Sequence, residues 1–308
     1  MLLPRRRDSR GKSYPLSKVC QNPRRDPTGI LKCDAVFLRA GIPYTGTGSH
    51  NEPPVDGARG TGAEADAEPP NTNNLLTASL CDDLLSALDQ AAQDQDVGCV
   101  LLDACGPLFC GGLDLEETLP AEPSESNERH ERLFTFGLDF RKPVVAAVQG
   151  PCLGAGVGLI ANAHVVVASQ GVQFGLTEIR YGFWPFVTHR ALALAMGERR
   201  VVELSLTGRV FGAQDALQYG LVHELTPAFE LQERAAAVAS RLAWGSQEST
   251  QRGLGFVQQS RYMDWTVAGP LVAEMTLLTA GSADFAEGVR AARESRKPRW
   301  PSLGGRPS

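Results

Sequence analysis

Two buried runs dominate the chain, "GCVLLDAC" (Gly98–Cys105) and "KPVVAAVQG" (Lys142–Gly150), and each leads through a glycine-bearing turn into helix-like sequence. The first turn is "GPLFCGGLDLEE" (Gly106–Glu117) and the second is "PCLGAGVGLIANA" (Pro151–Ala163). A continuous apolar run of this length is a strand covered on both faces, the mark of a parallel sheet with helices on either side. The second turn places Gly154, Gly156 and Gly158 on alternate residues at a helix start. Glycine costs about 1 kcal/mol per residue against alanine inside a helix. Three glycines there need a reason other than helix propensity.

From Leu75 onward, strands and helices alternate. "TASLCDDLLSALDQAAQD" carries Leu80, Leu84, Leu85 and Leu88 at helical spacing, with Thr77 or Ser79 as N-cap. "NERHERLFTFGLDF" is a second helix and "AHVVVAS" a third buried strand, with His164 capping its start. Pro143 is tolerable because it begins its strand. The later sequence is helical to about Arg296. Strands alternating with helices, followed by a helical final third, predict an α/β core with an added helical region. The expected division is 1–70, 71–225 and 226–298.

Three readings compete for the glycines. Gly156-Val157-Gly158-Leu159-Ile160-Ala161 fits a dinucleotide fingerprint, with Glu178 about 20 residues on. That fingerprint needs its glycines directly after the strand, whereas here Gln149 to Ala155 intervene. Close helix–strand packing is a second, compatible reading. The third uses both turns. Backbone N–H groups at the start of a helix lack partners, and two such turns converging make an oxyanion hole.

Four segments in order and spacing, "LFCGGLDLEE", "KPVVAAVQGPCLGAGVGLIANAHVVVAS", "VQFGLTEIRYGFWPF" and "LTGRVFGAQDALQYGLVHEL", resemble the enoyl-CoA hydratase/isomerase (crotonase) superfamily. "NTNNLLTASLCDDLLSAL" matches the family's Asn-Ala-Leu segment and first helix, and the likeness runs from Asn71 to Arg296. It implies a crotonase-like core of repeated ββα units with a C-terminal helical trimerisation region. It also implies an acyl-CoA thioester as substrate and assembly as a homotrimer or hexamer. No separate cofactor is expected, because coenzyme A is part of the substrate.

On matching positions the resemblance implies that the N–H groups of Leu113 and Ala155 hold the thioester oxygen, with Glu178 in "FGLTEIRYG" as the acid/base group. It places substrate and coenzyme A contacts at Leu75, Cys110, Gly111, Gly112 and Asp114. Further contacts fall at Gly154, Gly156, Thr177 and Phe186. Bulky Leu113 is expected to narrow the entrance. Asp114 itself reads as a turn-fixing residue, and His189 and Arg190 as surface or phosphate contacts. Hydratases of the family carry a second glutamate at the position of Gly158. One carboxylate suffices to move a proton from C2 to C4 of a 3-enoyl thioester through a dienolate. Phe174, Ile179, Phe183, Trp184 and Phe186 are expected to surround Glu178 and raise its pKa. The closest likeness is to the single-glutamate enoyl-CoA isomerases. A hydratase whose missing acid comes from elsewhere, and an acyl-CoA-binding protein without turnover, stay open.

The formal net charge of −5 gives no footprint for nucleic-acid binding. No apolar run reaches the roughly 18 residues of a membrane span, and no His/Cys/Asp cluster has metal-ligand spacing. Seven cysteines without a CxxC pair point to free thiols in a reduced compartment, with Cys110 and Cys152 as packing residues. The expected location is cytoplasmic. The basic start "MLLPRRRDSRGK" raises a mitochondrial alternative, although Pro4 and Pro15 break an amphipathic helix. Residues 1–70, rich in Gly, Pro, Ala and acids, read as a low-complexity extension. In them only "CDAVFLRAG" can supply an edge strand; otherwise the sheet lacks one.

Overall fold

A computed structural model describes residues 73–118 and 123–304, together with backbone strands at Arg6–Arg7, Ser13–Tyr14 and Asp34–Ala40. The low-complexity reading of 1–70 otherwise falls outside the described residues.

Five parallel strands form the central sheet: β1 (Asp34–Ala40), β2 (Val97–Ala104), β3 (Val144–Val148), β5 (Val165–Ser169) and β8 (Glu224–Thr226). They lie side by side in chain order, so each excursion returns one strand further along. β1 pairs along the whole of β2, which settles the question of the edge: "CDAVFLRAG" supplies it. A second, three-stranded sheet joins β4 (Cys152–Leu153), β6 (Gln173–Gly175) and β7 (Val210–Gly212).

The continuous apolar runs are buried on both faces, as their composition demands. One face packs Val100, Leu102, Val144, Ala146 and Val166 against α1 (Ala78–Gln93), α3 (Pro123–Asp139) and the layers beyond. The other packs Cys99, Leu101, Val145 and Val167 under α8 (Leu231–Ala243) through Leu231, Ala235, Val238 and Ala239. α8 falls within the expected 226–298 region and packs against the sheet. Leu84, Leu85 and Leu88 of α1 are buried, each worth roughly 1.5–3 kcal/mol. Thr77 caps that helix, accepting from Leu80 N–H at 3.2 Å. Lys142 closes its far end, donating to Ala91 O and Asp94 O at 2.6 Å each.

The remaining helices are α2 (Leu115–Thr118), α4 (Ala155–Ala161), α5 (Phe186–Met196), α6 (Glu198–Thr207) and α7 (Ala213–Tyr219). The chain then ends in α9 (Gln247–Ser260), α10 (Trp265–Ala280) and α11 (Ala283–Arg293). His164 caps β3 rather than its own strand, accepting from Val144 N–H at 3.0 Å.

Candidate active site

The loops that leave β2 and β3 meet beyond the carboxyl ends of the strands, where open α/β sheets bind their ligands. They run alongside one another: Phe109 N–H donates to Pro151 O at 3.0 Å, and Leu153 N–H donates to Cys110 O at 2.8 Å. Asn74 pins the first loop, its side-chain amide donating to Cys105 O and Leu108 O at 2.8 Å each. Gln149 reinforces that grip through Gly106 O and Leu108 O.

Both turns require glycine. Gly112 has φ +106° and Gly154 φ +53°, backbone states that L side chains rarely adopt. The turns also touch. A β-carbon on Gly112 would lie 3.4 Å from Leu153 O and 3.7 Å from Ala155 N. Leu113 pairs with Leu76 through the neighbouring amides: Leu76 N–H donates to Gly112 O, and Asp114 N–H to Leu76 O. The Leu113 N–H therefore faces the opposite way. Among the described residues no backbone hydrogen bond takes it, nor the N–H of Ala155, the first residue of α4.

Glu178 reaches this place because β6 pairs with β4. Gly154 N–H donates to Gly175 O at 2.8 Å, three residues before the glutamate. Glu178 begins a short 3-10 segment, Glu178–Tyr181, closed by Gly182 in the left-handed region and by Phe183 N–H on Glu178 O. Arg180 ties the segment down by donating to Gly208 O at 2.6 Å. The Glu178 carboxyl lies over Gly154. Its Oε2 is buried without a hydrogen-bond partner among the described residues. Burial pushes the Glu178 pKa above its ordinary value, the preference of a carboxyl removed from water for its neutral form.

A cavity of about 470 Å3 opens in front of these groups. Leu75, Gly111, Gly112, Leu113, Asp114, Gly154, Ala155, Thr177 and Glu178, all positions singled out in the sequence, line it. Phe183, expected beside Glu178, lines it too, together with Leu115, Glu116, Leu153 and Tyr181, which the sequence does not single out. Asp114 fixes its turn: Oδ1 accepts from Glu116 N–H at 3.0 Å. Glu116 stands exposed at the rim.

Three expected contacts lie elsewhere. Cys110 is buried beneath the first turn, with Gly112 N–H donating to its Sγ at 3.4 Å. Gly156 packs against it, a β-carbon there meeting Cys110 Cβ at 2.7 Å. Phe186 begins α5 and is 73% exposed, edge-on to Phe183. Of the apolar residues expected around Glu178, only Phe183 lines the cavity with it. Phe174 points into the core and stacks on Phe211, Ile179 packs on Gly208, and Trp184 faces His189. Between Phe174 and Phe186 the chain passes from strand through a 3-10 turn and a left-handed glycine into α5, so sequence proximity does not place these side chains together. Arg190 lies on Tyr262, its guanidinium 4.5 Å from the ring centre, away from the cavity lining.

Asn74 and Thr188 were missed as structural partners of the site. Asn74 carries a readable signal: asparagine tolerates the left-handed backbone, and φ here is +48°. Thr188 carries none, since its partner Gly158 is 30 residues away.

A family model described as enoyl-CoA hydratase/isomerase matches residues 64–303. The Trans-2-decenoyl-[acyl-carrier-protein] isomerase of Streptococcus mutans is 30% identical over 239 residues, 75% of this chain and 91% of that protein. The Enoyl-CoA hydratase domain-containing protein 3, mitochondrial, of Danio rerio is 27% identical, covering 88% of this chain and 94% of that protein. A crystal structure of the enoyl-CoA hydratase of Mycobacterium smegmatis superposes with a TM-score of 0.70 at 26% identity, covering 75% of this chain and 92% of that one. More of the relatives carry hydratase names than isomerase names.

Proposed function

The chain belongs to the enoyl-CoA hydratase/isomerase family, and we propose that it converts a 3-enoyl-CoA into the conjugated trans-2-enoyl-CoA. The thioester oxygen accepts hydrogen bonds from the N–H groups of Leu113 and Ala155. Glu178 removes a proton from C2. The electron pair moves into a dienolate whose negative charge rests on the held oxygen. The same carboxyl then returns its proton to C4, and the double bond moves from C3–C4 to C2–C3. No atom is gained or lost, and one general acid/base group does both steps.

The observation that carries this reading is the isolation of Glu178. It is the carboxylate with a buried, unpartnered oxygen in the lining of this cavity, while Asp114 is engaged by its turn and Glu116 faces solvent. Position 158, where a second acid would stand in a hydratase, is glycine. Hydration is the second reading, favoured by the hydratase names among the relatives.

Separate incubation with a 3-enoyl-CoA and a trans-2-enoyl-CoA discriminates the two. Conjugation of the first with slow or no hydration of the second supports the isomerase; rapid hydration of the second overturns it. Binding of both thioesters without turnover would make the chain an acyl-CoA-binding protein. Assembly as a homotrimer or hexamer belongs to the same proposal. It draws support from α10, which buries Ala268 while leaving Trp265 77% exposed and Val267 and Leu277 largely so. No described helix is long and apolar enough to cross a membrane. The name of the Danio rerio relative keeps a mitochondrial location beside the cytoplasmic one.

A further inference from the structure

Gly158 of α4 and Thr188 of α5 touch where the two helices cross. A β-carbon built on Gly158 would lie 2.2 Å from Thr188 Cγ2 and 2.4 Å from Thr188 Cβ, closer than atoms can stand. Thr188 is 1% exposed, so it has no solvent to turn into. A β-branched side chain in a helix has few rotamers. This one is held further by its hydroxyl, which donates to Pro185 O at 3.3 Å. The helix behind it is anchored by buried Ala191, Leu192 and Met196.

Position 158 also has a relation to the chemistry. It lies three residues after Ala155 on α4, and residues so spaced share a helix face. Side chains lean back toward the helix N-terminus. A long side chain at 158 would therefore reach back over the turn that presents the Ala155 N–H. The structure leaves no room for one to start.

We propose that Thr188 determines the reaction by excluding a second acid/base group. Its methyl and β-carbon occupy the volume through which a carboxylate at position 158 would approach the site, and so leave Glu178 to act alone. This inference rests on the one-base reading above. It adds that glycine at 158 is enforced from α5, so that changing 158 by itself cannot convert the enzyme.

The test uses full-length G158E, T188G and G158E/T188G, each assayed with both enoyl-CoA substrates and checked by thermal melting. Glycine is needed at 188 because alanine would keep the β-carbon 2.4 Å away. G158E alone should gain no hydration. The double variant should add water across C2–C3 of a trans-2-enoyl-CoA, oxygen to C3 and hydrogen to C2, at least about tenfold faster than the parent. Hydration gained by G158E alone overturns the proposal, as does a folded double variant that does not hydrate. If the double variant does not fold, G158A with and without T188G decides the matter. T188G should rescue the melting temperature lost by G158A, whereas additive losses overturn the steric exclusion. A parent enzyme that fails to isomerise, with the G158A/T188G coupling intact, would instead strike the one-base reading.

Discussion

Glu178 stands directly over Gly154: a methyl group on Gly154 would meet Glu178 Oε1 at 3.4 Å and its carboxyl carbon at 3.6 Å. The turn at Gly154–Ala155 and the carboxylate proposed to move the proton thus lie side by side. They are locked there by the Gly154 N–H to Gly175 O bond between β4 and β6.

Gly154→Ala should consequently damage catalysis more than binding. The substitution forces a non-glycine residue to φ +53°, a strain of about 1–3 kcal/mol. It also brings a methyl into contact with the carboxyl, so relief of the backbone strain moves the turn relative to Glu178. A displacement of about 1 Å at such a place can cost about 100-fold in rate. Steady-state kinetics should show kcat falling with KM little changed; full activity would contradict the role of the turn.

The pH dependence follows from burial. A general base works in its deprotonated form, and Glu178 is held above the ordinary value of 4.5. Isomerisation should therefore rise with pH through a midpoint above 4.5, measured as kcat/KM in buffers of constant ionic strength. A midpoint at or below 4.5 would show a solvated carboxylate.

Stability should respond in the opposite direction. A group whose folded pKa is raised stabilises the fold fully below its unfolded pKa, and that contribution is lost as pH rises through the folded pKa. Glu178→Gln should accordingly melt higher than the parent at neutral pH. The gap should close below pH 4.5, the ordinary carboxyl value. Equal melting curves at neutral pH would mean that Glu178 is not desolvated.

Cys110 should be inert. Its thiol is buried under the Gly112 turn and pushed up to about 12 by that burial. At neutral pH it exists as the neutral, unreactive thiol. Iodoacetamide should leave it unmodified in the native protein, read by mass spectrometry, and label it on denaturation. Fast native labelling would mean that the first turn opens.

The parts of this fold that are legible in sequence are those with a local cause. The runs around Val100 and Val145 read as doubly covered strands because apolar residues fill consecutive sheet positions, with Asp103 the polar exception near the end of the first. Gly112 and Gly154 read as turn residues because each follows such a run, and Thr77 reads as a cap because it precedes the leucine spacing. Glu178 was legible through the motif around it, yet its neighbours were not. Phe174 and Phe186 flank it in sequence but go to the core and the surface, while Tyr181 lines the cavity from the far end of Glu178's own 3-10 segment and Leu115 from another turn. The packing of Thr188 on Gly158 was invisible, because two helices crossing at van der Waals distance leave no local pattern in either one.

The central claim is that Glu178 alone carries the proton from C2 to C4. The most direct measurement is kcat/KM for a 3-enoyl-CoA with the parent and with Glu178→Gln, beside the Kd of each for the product trans-2-enoyl-CoA. The account predicts a loss of about 100- to 10,000-fold in kcat/KM, the range for removing one acid/base group, with the Kd nearly unchanged. A Glu178→Gln enzyme within a few-fold of the parent would contradict it.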